Sequence, residues 1–265
     1  MFALEVIKTK DKKGSPDRFG YEWNEYSQIL PEYEKQFERW TILIPKEEWV
    51  NKAFLDVGCG MGRNSFWPMS YGAKSSVSID VDDRSLSAAI KNLSCFKHCK
   101  VEKISAYDVP YENEFDIVFS IGVIHHLEHP AVALKKMVQA AKVKGKVMIW
   151  VYGYENSRWV VHFFNPFRKV IFSKLPISVT HFLSLFPTIG LWLFLRMGIG
   201  KISYFQLLRT FSFKHLRSIV FDQMLPQIAN YWKKEEVIQL MEDAGLKNIK
   251  MKHVNDMSWC AMGEK

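Results

Sequence analysis

Leu55-Asp56-Val57-Gly58-Cys59-Gly60-Met61-Gly62-Arg63 closes a short apolar run in three glycines spaced two apart. The run over residues 53–57 reads as a buried strand. Glycines at every second position let the chain turn tightly off that strand and approach a ligand closely. The helix expected over residues 63–71 then points its N-terminus at the ligand. A dinucleotide fingerprint has the spacing G-x-G-x-x-G and sets a pyrophosphate on the helix. Here the spacing is G-x-G-x-G with an acid ahead of it. Asp56 suits a ligand that is cationic and brings an ammonium group rather than a phosphate. Eighteen residues beyond Gly62, Asp80 ends a second apolar run, where a carboxylate can accept both hydroxyls of a ribose.

Working outward, strands are expected over residues 75–80, 101–105, 115–121 and 146–152, with helices over 84–93 and 131–143. The run Phe115–Ile121 is nearly continuous in apolar residues, as in a parallel sheet buried on both faces. Strands alternating with helices imply βαβ units. Toward the end, a helix over 233–244 stops at Gly245, a good C-terminal cap. Strands over 246–254 and 257–262 follow. Residues 1–20 read as irregular, with a mobile Lys10-Asp11-Lys12-Lys13-Gly14-Ser15-Pro16, and Pro31-Glu32-Tyr33-Glu34 starts a helix.

The glycine turn, Asp80, and Phe115-Asp116-Ile117-Val118-Phe119-Ser120 followed by His125-His126-Leu127 together resemble a class I S-adenosylmethionine (SAM)-dependent methyltransferase, in order and in spacing, over residues 54–152. The resemblance implies a Rossmann-like α/β fold: a seven-stranded, mostly parallel sheet of order 3-2-1-4-5-7-6, strand seven antiparallel and helices on both faces. It implies SAM as cofactor and assigns Asp56, Gly58, Gly60, Gly62 and Asp80 to it. Val81 and Ser120 adjoin those motifs. Many relatives carry an acid after strand three that reads the adenine amino group; here the position falls on Ser105, with Ala106 next and Asp108 as a weaker candidate. A nicotinamide enzyme and a non-catalytic SAM-binding regulator are the rivals for the same turn.

The chain has 265 residues, 48% hydrophobic and 24% charged, which suits one large domain or a domain with an insertion. Four scattered cysteines do not make a disulfide framework, and residues 1–7 lack the basic and long apolar regions of a signal peptide, so a cytoplasmic location is expected. Cys95 and Cys99 flank a short Phe-Lys-His, but no second cluster supplies four ligands, and no metal is expected. The net charge of +8 lies in one place: residues 156–221 hold nine Lys/Arg, no Asp or Glu, and eleven of the nineteen phenylalanines, while the remainder carries 27 basic and 28 acidic residues. Three parts are therefore expected. Residues 1–50 form an N-terminal helical segment. Residues 51–155 and 222–265 form the cofactor domain, and 156–221 a helical cap inserted after strand five.

The cap has two readings. It covers the active site and contacts a second copy in a homodimer, or it meets a membrane surface, where Lys/Arg reach anionic headgroups and Phe/Trp/Leu enter the acyl boundary. Leu175–Leu195 is 21 residues without formal charge, but prolines interrupt it and it lies inside a soluble fold, which argues against a span. His125 is the candidate general base. Tyr21, His126, Arg196, Arg209, Asp222 and Tyr231 are the candidate acceptor contacts. Phe19, Tyr21, Trp23, Tyr26 and Trp40 could close over the sulfonium, Trp23 as a cofactor contact. The acceptor is expected to be a small or lipid-linked molecule methylated on oxygen or nitrogen. Ser120-Ile121-Gly122-Val123 is not the Asn/Asp-Pro-Pro-aromatic turn of adenine-amino methyltransferases. No cysteine stands there for cytosine-C5 chemistry, and the basic residues alternate with bulky apolar ones. Nucleic acid is therefore not the expected acceptor.

Overall fold

The computed structural model describes residues 15–158, 160–198 and 203–265. Seven strands form one sheet: β1 (Ala53–Val57), β2 (Ser75–Asp80), β3 (Cys99–Lys103), β4 (Phe115–Ile121), β5 (Ala141–Tyr152), β6 (Lys247–Val254) and β7 (Ser258–Glu264). Their order is β3-β2-β1-β4-β5-β7-β6. Pairs β1–β2, β1–β4, β2–β3 and β4–β5 are parallel, and β7 runs antiparallel to both neighbours. The order and the reversed strand match the architecture the resemblance implies.

Alternation along the strands sends adjacent side chains to opposite faces. Leu55, Val118 and Ile149 pack under helices α5 (Pro130–Ala140) and α11 (Lys234–Asp243), against Leu134, Met137, Val237 and Met241. Phe54, Phe119 and Met148 meet Phe37 and Trp40 of α2 (Glu32–Trp40), Trp49, and Trp67 of α3 (Arg63–Ser70). Burying each such side chain contributes about 1.5–3 kcal/mol. The N-terminal helices thus share their core with the sheet.

Several boundaries differ from expectation. Residues 16–20 are helical, not irregular: α1 spans Pro16–Glu25 with the proline in its first turn. Of the expected mobile stretch, Ser15 is buried and its Oγ accepts from Gln227 N at 2.8 Å, and residues 10–14 lie outside the described residues. β3 begins at Cys99, two residues early, paired to Ser76. β5 begins at Ala141, where a helix to residue 143 was expected, because Phe115 pairs with Ala141 before a register shift and Lys144 turns at φ 62°.

Two contacts lock α1 down. Gly20 lies so close to α4 (Asp83–Leu93) that a Cβ there would sit 2.0 Å from the Asp82 carboxyl. Arg18 donates from Nε to the Leu225 carbonyl at 3.0 Å, from Nη1 to Leu175 O at 3.0 Å, and from Nη2 to Phe172 O at 2.8 Å. It ties α1 to the first third of the cap and to the chain just beyond it. The cap itself is a helical run over residues 160–172, π-helical at Val160–Phe164 and Arg168–Phe172 around α6 (Asn165–Phe167), then α7 (Ile177–Leu183), α8 (Leu185–Arg196), α9 (Ser203–Leu208) and α10 (Phe213–Met224).

Candidate active site

A cavity of about 1350 Å³ opens at the C-terminal ends of β1, β2, β4 and β5, between α1 and the cap. This is where an open α/β sheet binds ligands. Gly58 and Gly60 form its floor with φ of 80° and 54°. A Cβ on Gly58 would lie 2.4 Å from Val123, and one on Gly60 would lie 2.9 Å from Trp23 Nε1, so only glycine fits either position. Asp80 faces the cavity. Its Oδ2 accepts from Gly60 N at 2.9 Å and its Oδ1 from Val81 N at 2.7 Å and Asp82 N at 3.1 Å. Burial raises its pKa while those N–H donors hold it down. Val81, Ser105, Ala106 and Asp108 lie on the same wall.

Several expected site residues stand behind the wall. Asp56 is fully buried, and Ser65 Oγ donates to its Oδ2 at 2.7 Å. Burial pushes its pKa up to about 7, opposed by the Ser65 bond. It braces β1 against α3 and does not face the cavity. Gly62 caps α3 at φ 82°, and a Cβ there would press on Leu93 and Ala89; it sets helix packing. Ser120 donates to Val57 O at 2.8 Å, away from the cavity. Ile121 and Gly122 face it instead.

His125 is corrected as the candidate base. Its ring is wholly buried, neither nitrogen has a partner, and its centroid lies 3.9 Å from that of Tyr152, tilted by 37°. Burial holds its pKa well below the ordinary value. The short turn after β4 points this side chain into the protein, so it supports Tyr152 rather than meeting an acceptor. Tyr21 packs on His181 and Phe221, also off the cavity. Arg196 is exposed over Trp192, and Arg209 donates to Leu195 O at 3.2 Å; both lie off the cavity wall.

His126, Asp222, Tyr231 and Trp23 do line the cavity. His126 Nδ1 lies 2.7 Å from Ile228 O, which only accepts, so Nδ1 carries the proton. Burial pushes the pKa of this histidine down to about 3, leaving a neutral ring with Nε2 as acceptor. Tyr152 OH donates to Asp222 Oδ2 at 3.4 Å and accepts from Gln223 Nε2 at 2.7 Å. Tyr231 OH is buried without a partner.

Sequence reasoning missed Glu22 and Arg63. Burial raises Glu22 well above the usual carboxyl range, the Asp222 charge raises it further, and Arg63 opposes both. Burial raises Asp222 too, with Arg63 opposing. The Arg63 guanidinium sits 4.8 Å over Trp23, 5.1 Å over Tyr33 and 5.1 Å over Trp40. The N-terminal aromatics thus enclose a cation of the protein's own. Phe19, Trp23 and Trp40 reach the cavity, while Tyr26 bonds His181 at 3.0 Å.

Comparison with known proteins agrees with this geometry. Residues 55–149 match the family model described as a methyltransferase domain. A tRNA U34 carboxymethyltransferase of Helicobacter pylori is 30% identical over 117 residues, 42% of this chain and 44% of that protein. The chain thus spans less than half the length of the curated relatives it matches. Among solved structures, a SAM-dependent methyltransferase of Thermotoga maritima superposes with TM-score 0.58 at 16% identity, covering 95% of this chain and 99% of that one. One of Aquifex aeolicus gives TM-score 0.56 at 15% identity, covering 92% and 97%. The fold is that of the SAM-dependent methyltransferases. Residues 55–149 match a methyltransferase domain, and the cofactor that the solved structures of this fold name is S-adenosylmethionine.

Proposed function

We propose that this chain transfers the methyl group of SAM to an oxygen or nitrogen of an apolar, lipid-type acceptor held under the cap. The observation that carries the reading is the cavity. Pockets for one small molecule run to about 300–1,000 Å³, and this one, at about 1350 Å³, has room for a second. The second half is walled by cap residues such as Phe164, Phe172, Leu191, Phe205 and Leu208.

SAM supplies a methyl already activated by its sulfonium, so the protein's task is alignment and removal of one proton. Asp80 and the Gly58–Gly60 floor hold the ribose and the amino-acid end, and Val81, Ser105 and Ala106 flank the adenine. Asp222, beside Glu22 and bonded to Tyr152 and Gln223, is the carboxylate placed to take a proton from the acceptor. Tyr231 OH and His126 Nε2 are the polar groups that orient it.

A second reading rests on the curated relatives, whose names specify tRNA U34. It conflicts with the expectation that nucleic acid is not the acceptor. Labelled-methyl transfer to a mixed extract separates the two. With a cell lipid extract and total tRNA present together, label is expected in the organic phase and is expected to fall about 10²-fold in Asp222→Asn with SAM affinity unchanged. Label in the RNA alone overturns the lipid reading.

A further inference from the structure

Helices α7 and α8 are inside out for a surface in water. Over residues 177–194 their buried positions are Thr180, Ser184 and Thr188, one small hydroxyl residue every four, and Leu195 ends the series against Leu207 and Leu208. The Ser184 and Thr188 hydroxyls donate to the helix's own carbonyls, at His181 O (2.6 Å) and Ser184 O (2.7 Å). Thr180 Oγ1 also receives the Arg18 guanidinium at 3.3 Å. The opposite stripe is apolar and open: Val179, Phe182, Phe186, Ile189, Leu193 and Met197 are 40–65% exposed. An amphipathic helix on a soluble protein turns its large apolar residues inward. Small residues inside and large apolar residues outside are the arrangement of helices whose solvent is lipid.

The preceding run also leaves large apolar residues open. Phe163, Phe167 and Val170 are 78%, 55% and 64% exposed. Of the seventeen large hydrophobic residues exposed among the described residues, eleven lie in the cap, so the patch belongs to this part of the molecule and not to the surface at large. The charges around it have one sign. Lys169, Lys174 and Lys214 are exposed, and none forms an ion pair among the described residues. The whole insertion holds no acid.

We infer that the outer face of α7–α8 and of residues 160–172 docks on an anionic lipid bilayer. Ile177–Arg196 is long and apolar enough to cross a membrane by length and composition. However, α10 packs on both α7 and α8 and on α1, which keeps the segment on the domain and makes it lie in the interface instead. Phe167 and Pro187 are exposed and also line the cavity, so the cavity reaches the surface on this face. A lipid-type acceptor can then enter from the bilayer without crossing water. That portal role rests on the function proposed above. The docking itself does not, because vesicle binding needs neither cofactor nor acceptor.

The test is co-sedimentation of the full chain with vesicles of phosphatidylcholine alone and with added phosphatidylglycerol, at low and high salt. Binding to the anionic vesicles, weakened by salt, is expected. The variant Phe182→Asp/Phe186→Asp/Leu193→Asp is expected to lose at least tenfold in binding while its melting temperature and SAM affinity stay those of the parent. Lys169→Glu/Lys174→Glu, which touches no apolar contact, is expected to weaken anionic binding and its salt dependence. A parent chain that stays in solution with both vesicles overturns the inference. So does an aspartate variant that binds equally well, or an apolar face that proves to be buried in a stable dimer with no vesicle binding.

Discussion

Helices α5 and α8 both carry large apolar side chains and turn many of them opposite ways. α5 buries Ala133, Leu134, Met137 and Val138 and leaves Lys135 outside. α8 buries Thr188 and Leu195 and leaves Phe186, Ile189 and Leu193 outside. The first helix faces a sheet on one side and water on the other. The second packs on α10, and on its other side nothing among the described residues covers it. The difference teaches that an apolar stripe says where a helix meets a nonpolar medium, not that the medium is the protein's own core.

Charge substitution should split the two helices most sharply. Leu134→Asp puts an unpaired carboxylate into a fully closed core and is expected to unfold the domain, a loss beyond about 4 kcal/mol. Phe186→Asp, at a position 59% exposed, is expected to leave the thermal melting curve within about 0.5 kcal/mol of the parent. Equal destabilisation at both positions would mean that α8 is covered after all.

The sheet half also carries a titration that the cap does not share. Burial lifts Asp56 from 3.8 to about 7 in the folded protein. Across that window the native state binds more protons than the unfolded chain. Stability from this group is therefore full at low pH and lost as pH rises toward about 7, and it is flat above. Asp56→Asn removes the charge and keeps a partner for Ser65. Denaturant midpoints of parent and variant are expected to diverge by about 2 kcal/mol from about pH 5 to about pH 7, with the variant the more stable at the higher pH. Parallel curves would place the Asp56 titration elsewhere.

The smallest effect expected is on the cofactor. Asp80→Ala leaves the fold intact and is expected to weaken SAM binding about tenfold, roughly 1.4 kcal/mol, by calorimetry. Unchanged affinity would remove Asp80 from the site.

What could be read before the structure follows from distance along the chain. β1, the glycine turn and Asp80 lie within thirty residues and are set by local spacing, so the sheet order and the cavity floor were legible. The Glu22–Asp222 carboxyl pair joins positions 200 residues apart. The Arg18 bonds to Leu175 and Leu225 span 157 and 207 residues. No spacing rule reaches that far. Ser120 and His125 were misplaced for a different reason. They adjoin the mouth of the sheet in sequence, but strand alternation and the turn after β4 aim them away from it, and Ile121, Gly122 and His126 face the cavity instead. In the cap, composition showed the charge bias and the aromatic excess. It could not show that Thr180, Ser184 and Thr188 turn inward on α7 and α8 while Phe182 and Phe186 stay open.

The most direct measurement is the depth of two spin labels in the presence of anionic vesicles. One replaces Phe186 on α8 and the other Val132 on α5, in a chain whose Cys95 and Cys99 are serine. Both positions are open in the folded protein, at 59% and 40%. The account predicts that the label at 186 becomes accessible to oxygen and shielded from a water-soluble relaxant, while the label at 132 stays in water. Two labels that both remain aqueous would contradict it.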